Sequence, residues 1–176
     1  MSSIVISGDT SGSITLSAPA VSGTNTATLP ASSGVVMVSG NMPAFSAYAN
    51  TSQSISSSTF TKLNFQVKEF DTASCFDNTT NYRFTPTVAG YYQINSGYNV
   101  GGTVTNGLIS IFKNGSEYKR GVWFATNYAN STISSIVYFN GSTDYIEIYA
   151  YIVGASIVIG SGSNETWVNG SMVRAA

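Results

Sequence analysis

The sequence predicts an all-β fold, a sandwich or barrel of closely spaced strands preceded by an extended N-terminal arm. Three observations predict it. From Pro43 onward, short runs of Val, Ile, Tyr and Phe alternate with turn residues. Four Asn-Gly dipeptides, at Asn106, Asn114, Asn140 and Asn169, supply the residues that tolerate positive φ in type I′ hairpin turns. No stretch sustains helical periodicity.

The 176 residues suit one domain with an appendage. Charged residues make up 9% of the chain, against about 25% in an ordinary soluble domain, so solubility rests on hydroxyls and amides. Surfaces of this kind approach one another without the desolvation cost that charges impose, which favours subunit contacts. The net charge is −1 and no run of like charge occurs. Neither nucleic acid nor an anionic membrane is therefore an expected partner. Cys75 stands alone, which excludes an internal disulfide and makes it a buried apolar thiol. The opening residues Met1 to Ile6 have no basic or long apolar region, and no later run reaches the roughly 18 apolar residues of a membrane span. No secretion signal or membrane insertion is expected. Asn-x-Ser/Thr triplets, as at Asn78, Asn130 and Asn164, arise by chance in a chain this rich in those residues.

The composition divides the chain into an arm, residues 1–42, and a head, residues 43–176. Between Met1 and Thr61 the sole formal charge is Asp9. The arm's strand-like fragments are Ile4–Ile6, Ile14–Leu16, Thr26–Leu29 and Val35–Val38. Strands this short are unstable alone, so they are expected to pair with another copy or a larger assembly through Ile4, Ile6, Ile14, Leu16, Leu29, Val36 and Val38. In the head, Ile109–Phe112 leads into Asn114-Gly115 as the clearest hairpin. Residues 145–152 alternate strictly. Ile146, Ile148, Ala150 and Ile152 face a core, while Tyr145, Glu147, Tyr149 and Tyr151 face the other way. Three tyrosines with one carboxylate suit a subunit interface; an outer face partly covered by a loop is the alternative.

Three segments in order, Ala44-Phe45-Ser46-Ala47, Lys62–Phe65 and Tyr82–Ile94 with its Pro86 and Gly90-Tyr91-Tyr92, resemble the globular heads of complement's first component and the wider tumour-necrosis-factor-like superfamily. Ile111–Gly115, Asn140-Gly141 and Trp167–Met172 continue the likeness over roughly residues 43–174. The resemblance implies a ten-stranded jelly roll that forms trimers, with Tyr91 joining Tyr145, Tyr149 and Tyr151 at the interface. It also implies a tight turn at Gly90 and core places for Tyr92 and Ile94. The family often has Gly-Asp before its penultimate core strand, whereas here Asp144 is displaced behind Gly141-Ser142-Thr143. A calcium or ligand role held by that acid in relatives is not carried over. In the arm, Ser13–Pro30 followed by Gly34-Val35-Val36 is similar to a segment common in tailed-bacteriophage virion proteins, especially fibres.

The chain has no histidine, which removes the commonest general base, the Ser-His-Asp triad and imidazole metal sites. Glu69 and Asp71 share a face if extended and Asp77 follows, an arrangement open to glycoside hydrolysis or cation binding. Lys68 and Arg83 favour plain ion pairing instead. No cofactor, metal site or enzymatic activity is expected. Tyr118, Arg120 and Tyr128, near Trp123-Phe124, form a candidate ligand surface on which a sugar could stack; core packing of Trp123 and interface packing of Tyr128 are the simpler reading.

These features point to a phage virion protein on the particle surface: a homotrimeric capsid decoration or cement protein whose arm binds the major capsid protein or another virion protein. No shaft-building repeat is present. The alternative is a tail-fibre or receptor-binding tip recognising a host glycan or protein.

Overall fold

Apolar residues at every second position draw the strands of the head into two layers around one core. The computed structural model describes residues 3–21, 23–28, 31, 33–34, 36–125 and 129–176. The chain divides into two compact units, Met1–Gly34 and Val35–Ala176.

The first unit holds β1 (Ser3–Ser7) and β2 (Ser13–Ser17), an antiparallel hairpin. These two arm fragments pair with each other within the chain. Described residues 26–28 and 36–38 form no strand. At the second site the reason is local. Asn41 Oδ1 accepts from the Val38 amide at 2.7 Å and Asn41 Nδ2 donates to the Val36 carbonyl at 3.3 Å, winding the chain into the short 3₁₀ turn Ser39–Asn41.

The second unit contains β3 (Ala44–Tyr48), β4 (Gln53–Ser54), β5 (Thr61–Lys62), β6 (Val67–Asp71), β7 (Phe76–Asp77), β8 (Arg83–Phe84), β9 (Gly90–Lys113), β10 (Ser116–Phe124), β11 (Ala129–Phe139), β12 (Ile146–Ile159) and β13 (Trp167–Ala175). The 24-residue β9 belongs to both layers. Its first half lies between β13 and β11, giving the order β6-β3-β13-β9-β11. Its second half lies between β10 and β12, and β12 also pairs with β4, β5 and β8. Every one of these pairings is antiparallel. Between the halves, Gly102 takes φ +109 and the β9–β12 register slips twice.

The layers close on aromatic rings. Phe45 of β3 stacks on Phe84 of β8 at 4.3 Å, and Phe84 meets Tyr92 of β9 and Phe139 of β11 edge-on at 5.5 and 5.6 Å. Complete burial of each such side chain stabilises the fold by about 1.5–3 kcal/mol. Tyr92 and Ile94 enter this core, as do Ile146, Ile148, Ala150 and Ile152, and Cys75 is buried. The buried Tyr92 hydroxyl donates to the Val88 carbonyl at 2.8 Å, which satisfies the polar group that burial would otherwise penalise.

Asn114-Gly115 is the one Asn-Gly dipeptide with both residues at positive φ, 52° and 79°, as a type I′ turn requires. Asn140-Gly141 turns with φ positive at the glycine alone. Asn106-Gly107 and Asn169-Gly170 make no turn and lie inside β9 and β13. Gly90 makes no turn but opens β9, and glycine is needed there because a Cβ would come to 2.5 Å from the Arg174 carbonyl oxygen.

Candidate functional site

In the arm, the register Ile4↔Leu16 and Ile6↔Ile14 puts four aliphatic side chains on one face of the hairpin. They are 65%, 57%, 55% and 67% exposed in that order. The opposite face carries Val5 and Thr15. Val36 and Val38 are exposed as well. Leu29 and Tyr128 lie outside the described residues.

The outer face of β6-β3-β13-β9-β11 is broad, and its charge is gathered on the edge strand β6 in Lys68, Glu69 and Asp71, leaving the β3-β13-β9-β11 part almost free of charge. Arg174 is the sole charged residue in β3, β11, β13 and the first half of β9. On this face Tyr91 sits opposite Tyr138, with ring centroids 5.4 Å apart, and Arg174 lies 6.0 Å from the Tyr91 ring. Next comes an amide and hydroxyl network. Gln93 Nε2 donates to Ser134 Oγ at 2.9 Å, Ser134 Oγ to Asn95 Oδ1 at 2.9 Å, and Asn95 Nδ2 to Asn169 Oδ1 at 3.0 Å. Ile136, opposite Gln93, is half exposed. A hollow of about 530 Å³ runs from Asn95, Ser134 and Trp167 to Arg120 and Val122.

The other layer's outer face is built in cross-strand rows. Trp123, Leu108 and Tyr151 form one, Arg120, Ser110, Tyr149 and Lys62 the next, and Glu117, Phe112 and Glu147 the third. Phe60 leans over them, 5.2 Å from Tyr151 and 5.3 Å from Phe112, and Tyr149 stacks on Phe112 at 4.0 Å. Lys62 pairs with Glu147 at 3.1 Å. Arg120 Nε and Nη2 each donate to a different oxygen of Glu117 at 2.8 Å, and Ser110 Oγ donates to the same carboxylate at 2.9 Å. The Arg120 bonds, helped by Ser110, hold the Glu117 carboxyl below its usual range. Burial, then the Glu147 charge, pushes the Tyr149 hydroxyl up. Phe60, Leu108, Arg120, Trp123 and Tyr151 line an open groove of about 320 Å³.

The four tyrosines read as one interface thus fall on two layers: Tyr91 on the first, and Tyr145, Tyr149 and Tyr151 on the second, half-buried under residues 60–62 and Arg83. Trp123 does not enter the core. It is 55% exposed, because β10 bulges between Arg120 and Trp123 and gives the inward place to Phe124. Tyr118, in the neighbouring bulge, is exposed under the Lys119 ammonium at 5.2 Å.

No family model and no curated protein matches the chain. Solved structures do match it. Eiger TNF from S. frugiperda superposes with a TM-score of 0.62 at 7% identity, over 77% of this chain and 95% of that one. Murine APRIL gives 0.60 at 10% identity, over 75% and 99%, and the globular domain of zebrafish complement 1qA gives 0.55 at 15%, over 76% and 99%. The head has the tumour-necrosis-factor-like jelly-roll fold.

The acids of this jelly roll are occupied structurally. Asp71 pairs with Lys68 at 3.2 Å and accepts from the Cys75 and Phe76 amides, while Glu69 accepts from Ser46 Oγ at 2.6 Å. Arg83 lies over the Tyr145 ring at 4.5 Å instead of joining them. Asp77 caps its own loop through the amides of Thr79, Thr80 and Asn81. Asp144 bonds Lys113, Asn114 and Asn140, tying two turns together. Among the described residues no three Cys, Asp or Glu side chains gather to hold a metal ion. The sequence reading missed the network of Gln93, Asn95, Ser134 and Asn169. Alternation could have shown half of it, since Tyr91, Gln93 and Asn95 must face away from Tyr92 and Ile94.

Proposed function

We propose that the protein is a structural protein of a tailed-phage particle, a trimeric decoration or cement protein whose arm fastens the jelly-roll head to the capsid. The observation that carries the reading is the hairpin's bare face of Ile4, Ile6, Ile14 and Leu16. An uncovered aliphatic face on so short an element suits burial against a larger partner, and the arm's likeness to phage virion segments suggests which partner. The trimer reading draws on the low-charge outer face of β3-β13-β9-β11, which presents aromatic and amide groups to a copy of itself at little desolvation cost. Three arms on one trimer bind cooperatively, since docking one raises the effective concentration of the others. Deleting residues 1–41 is expected to leave a folded trimer that no longer sediments with expanded capsids; undiminished binding of that variant overturns the reading.

A second reading, a receptor-binding tip, draws support from the exposed Trp123 beside Arg120. Copies per particle separate the two: hundreds fit decoration, whereas a handful confined to the tail fit adhesion.

A further inference from the structure

We infer that the groove between Phe60, Arg120, Trp123 and Tyr151 is a binding site for a neutral saccharide, with a pyranose ring stacked on the Trp123 indole and its hydroxyls bonded to the Arg120–Glu117 pair. The two outer faces of the head differ in a way that assigns them different tasks. The β3-β13-β9-β11 face is wide and charge-poor, with Arg174 as its sole charged residue. The β10 face concentrates Lys62, Glu117, Arg120 and Glu147 among five aromatic side chains. Large rings beside fixed planar polar groups meet the two demands of a sugar, whose C–H face is apolar and whose rim is ringed with hydroxyls.

The apolar floor and the polar groups are held before any ligand arrives. Leu108, 2% exposed, lies opposite both Trp123 and Tyr151 and forms an apolar floor. Glu117 is fixed by two bonds from Arg120 and one from Ser110, and 61% of the Arg120 side chain still faces outward. Because the guanidinium and carboxylate neutralise each other, the site favours an uncharged sugar over an acidic one. A groove of about 320 Å³ stands at the small end of ligand sites, roughly 300–1,000 Å³, and suits one or two rings. The site does not depend on where the particle carries the protein: attachment is tested on capsids and this inference on sugars, so each can fail alone.

Trp123 and Trp167 are the two tryptophans, so Trp167→Phe leaves Trp123 as the sole indole reporter in the full-length protein. Titration with neutral oligosaccharides of glucose, galactose, mannose and N-acetylglucosamine is expected to shift its emission saturably for at least one of them. Trp123→Ala and Arg120→Ala, both exposed and compatible with folding, should each weaken binding about tenfold or more, as measured by calorimetry, while Trp123→Phe keeps most of it. Failure of every sugar to bind at millimolar concentration overturns the inference. So does equal binding by Trp123→Ala, or an emission shift that follows protein dilution instead of sugar.

Discussion

Gly170 sits mid-strand where a methyl group would approach Ile94 Cδ1 to 2.7 Å and Phe45 Cε1 to 2.9 Å, and at Gly107 it would meet Phe124 Cζ at 2.7 Å. Each substitution to Ala should therefore cost about 1–3 kcal/mol through overpacking, read as a lower denaturation midpoint. Gly40→Ala, with nothing within 4 Å, should be neutral. This explains why two of the four Asn-Gly dipeptides misled the sequence reading. Glycine serves both positive φ and the absence of a Cβ, and the dipeptide alone does not say which. Asp77 carries a pH effect at the same scale. Amides of Thr80 and Thr79, then the Asn81 side chain, hold its carboxyl far below the ordinary 3.8. A depressed folded value stabilises the protein above the unfolded value and loses that contribution as pH falls through the folded one. Unfolding midpoints should thus drop below about pH 4, and Asp77→Asn should flatten that acid limb; identical limbs in the two proteins refute the assignment.

Alternation made single elements legible, and the pairing of elements was not. Ile146, Ile148, Ala150 and Ile152 are buried as period two requires. The same pattern is silent on partners, and partners decide what an outward side chain meets. Tyr91 faces Tyr138, whereas Tyr149 pairs across Ser110 and packs on Phe112. A strand that crosses from one layer to the other, as β9 does, moves its outward residues from one surface of the molecule to the other, and that crossing depends on Gly102 and on register slips against β12. For β1 and β2, two strand-like fragments within ten residues of each other could meet as a hairpin, and their apolar positions then fall on one face. Ile6→Lys with Leu16→Lys should leave the head's melting temperature unchanged, because both side chains are exposed. Calorimetry checks that, and if the arm fastens the protein to a capsid, co-sedimentation with capsids should be lost in the same variant.

At the scale of the whole molecule the two outer faces give opposite outcomes to the same perturbation. A lysine placed in a charge-poor contact must be desolvated without a partner, which costs several kcal/mol, whereas the same residue beside an open groove stays in water. Ile136 projects from β11, 54% exposed, next to the Gln93–Ser134–Asn95 network, so Ile136→Lys disturbs little within one chain. If copies associate through this face, light scattering should show the trimer falling to the mass of a single chain while far-ultraviolet circular dichroism stays that of the folded head. Trp123→Lys, on the opposite layer, should leave that proposed trimer intact. The reverse result, dissociation by the change at Trp123 and none by the change at Ile136, would move the subunit contact to the β10 face. It would also turn the aromatic groove from a ligand site into a buried seam.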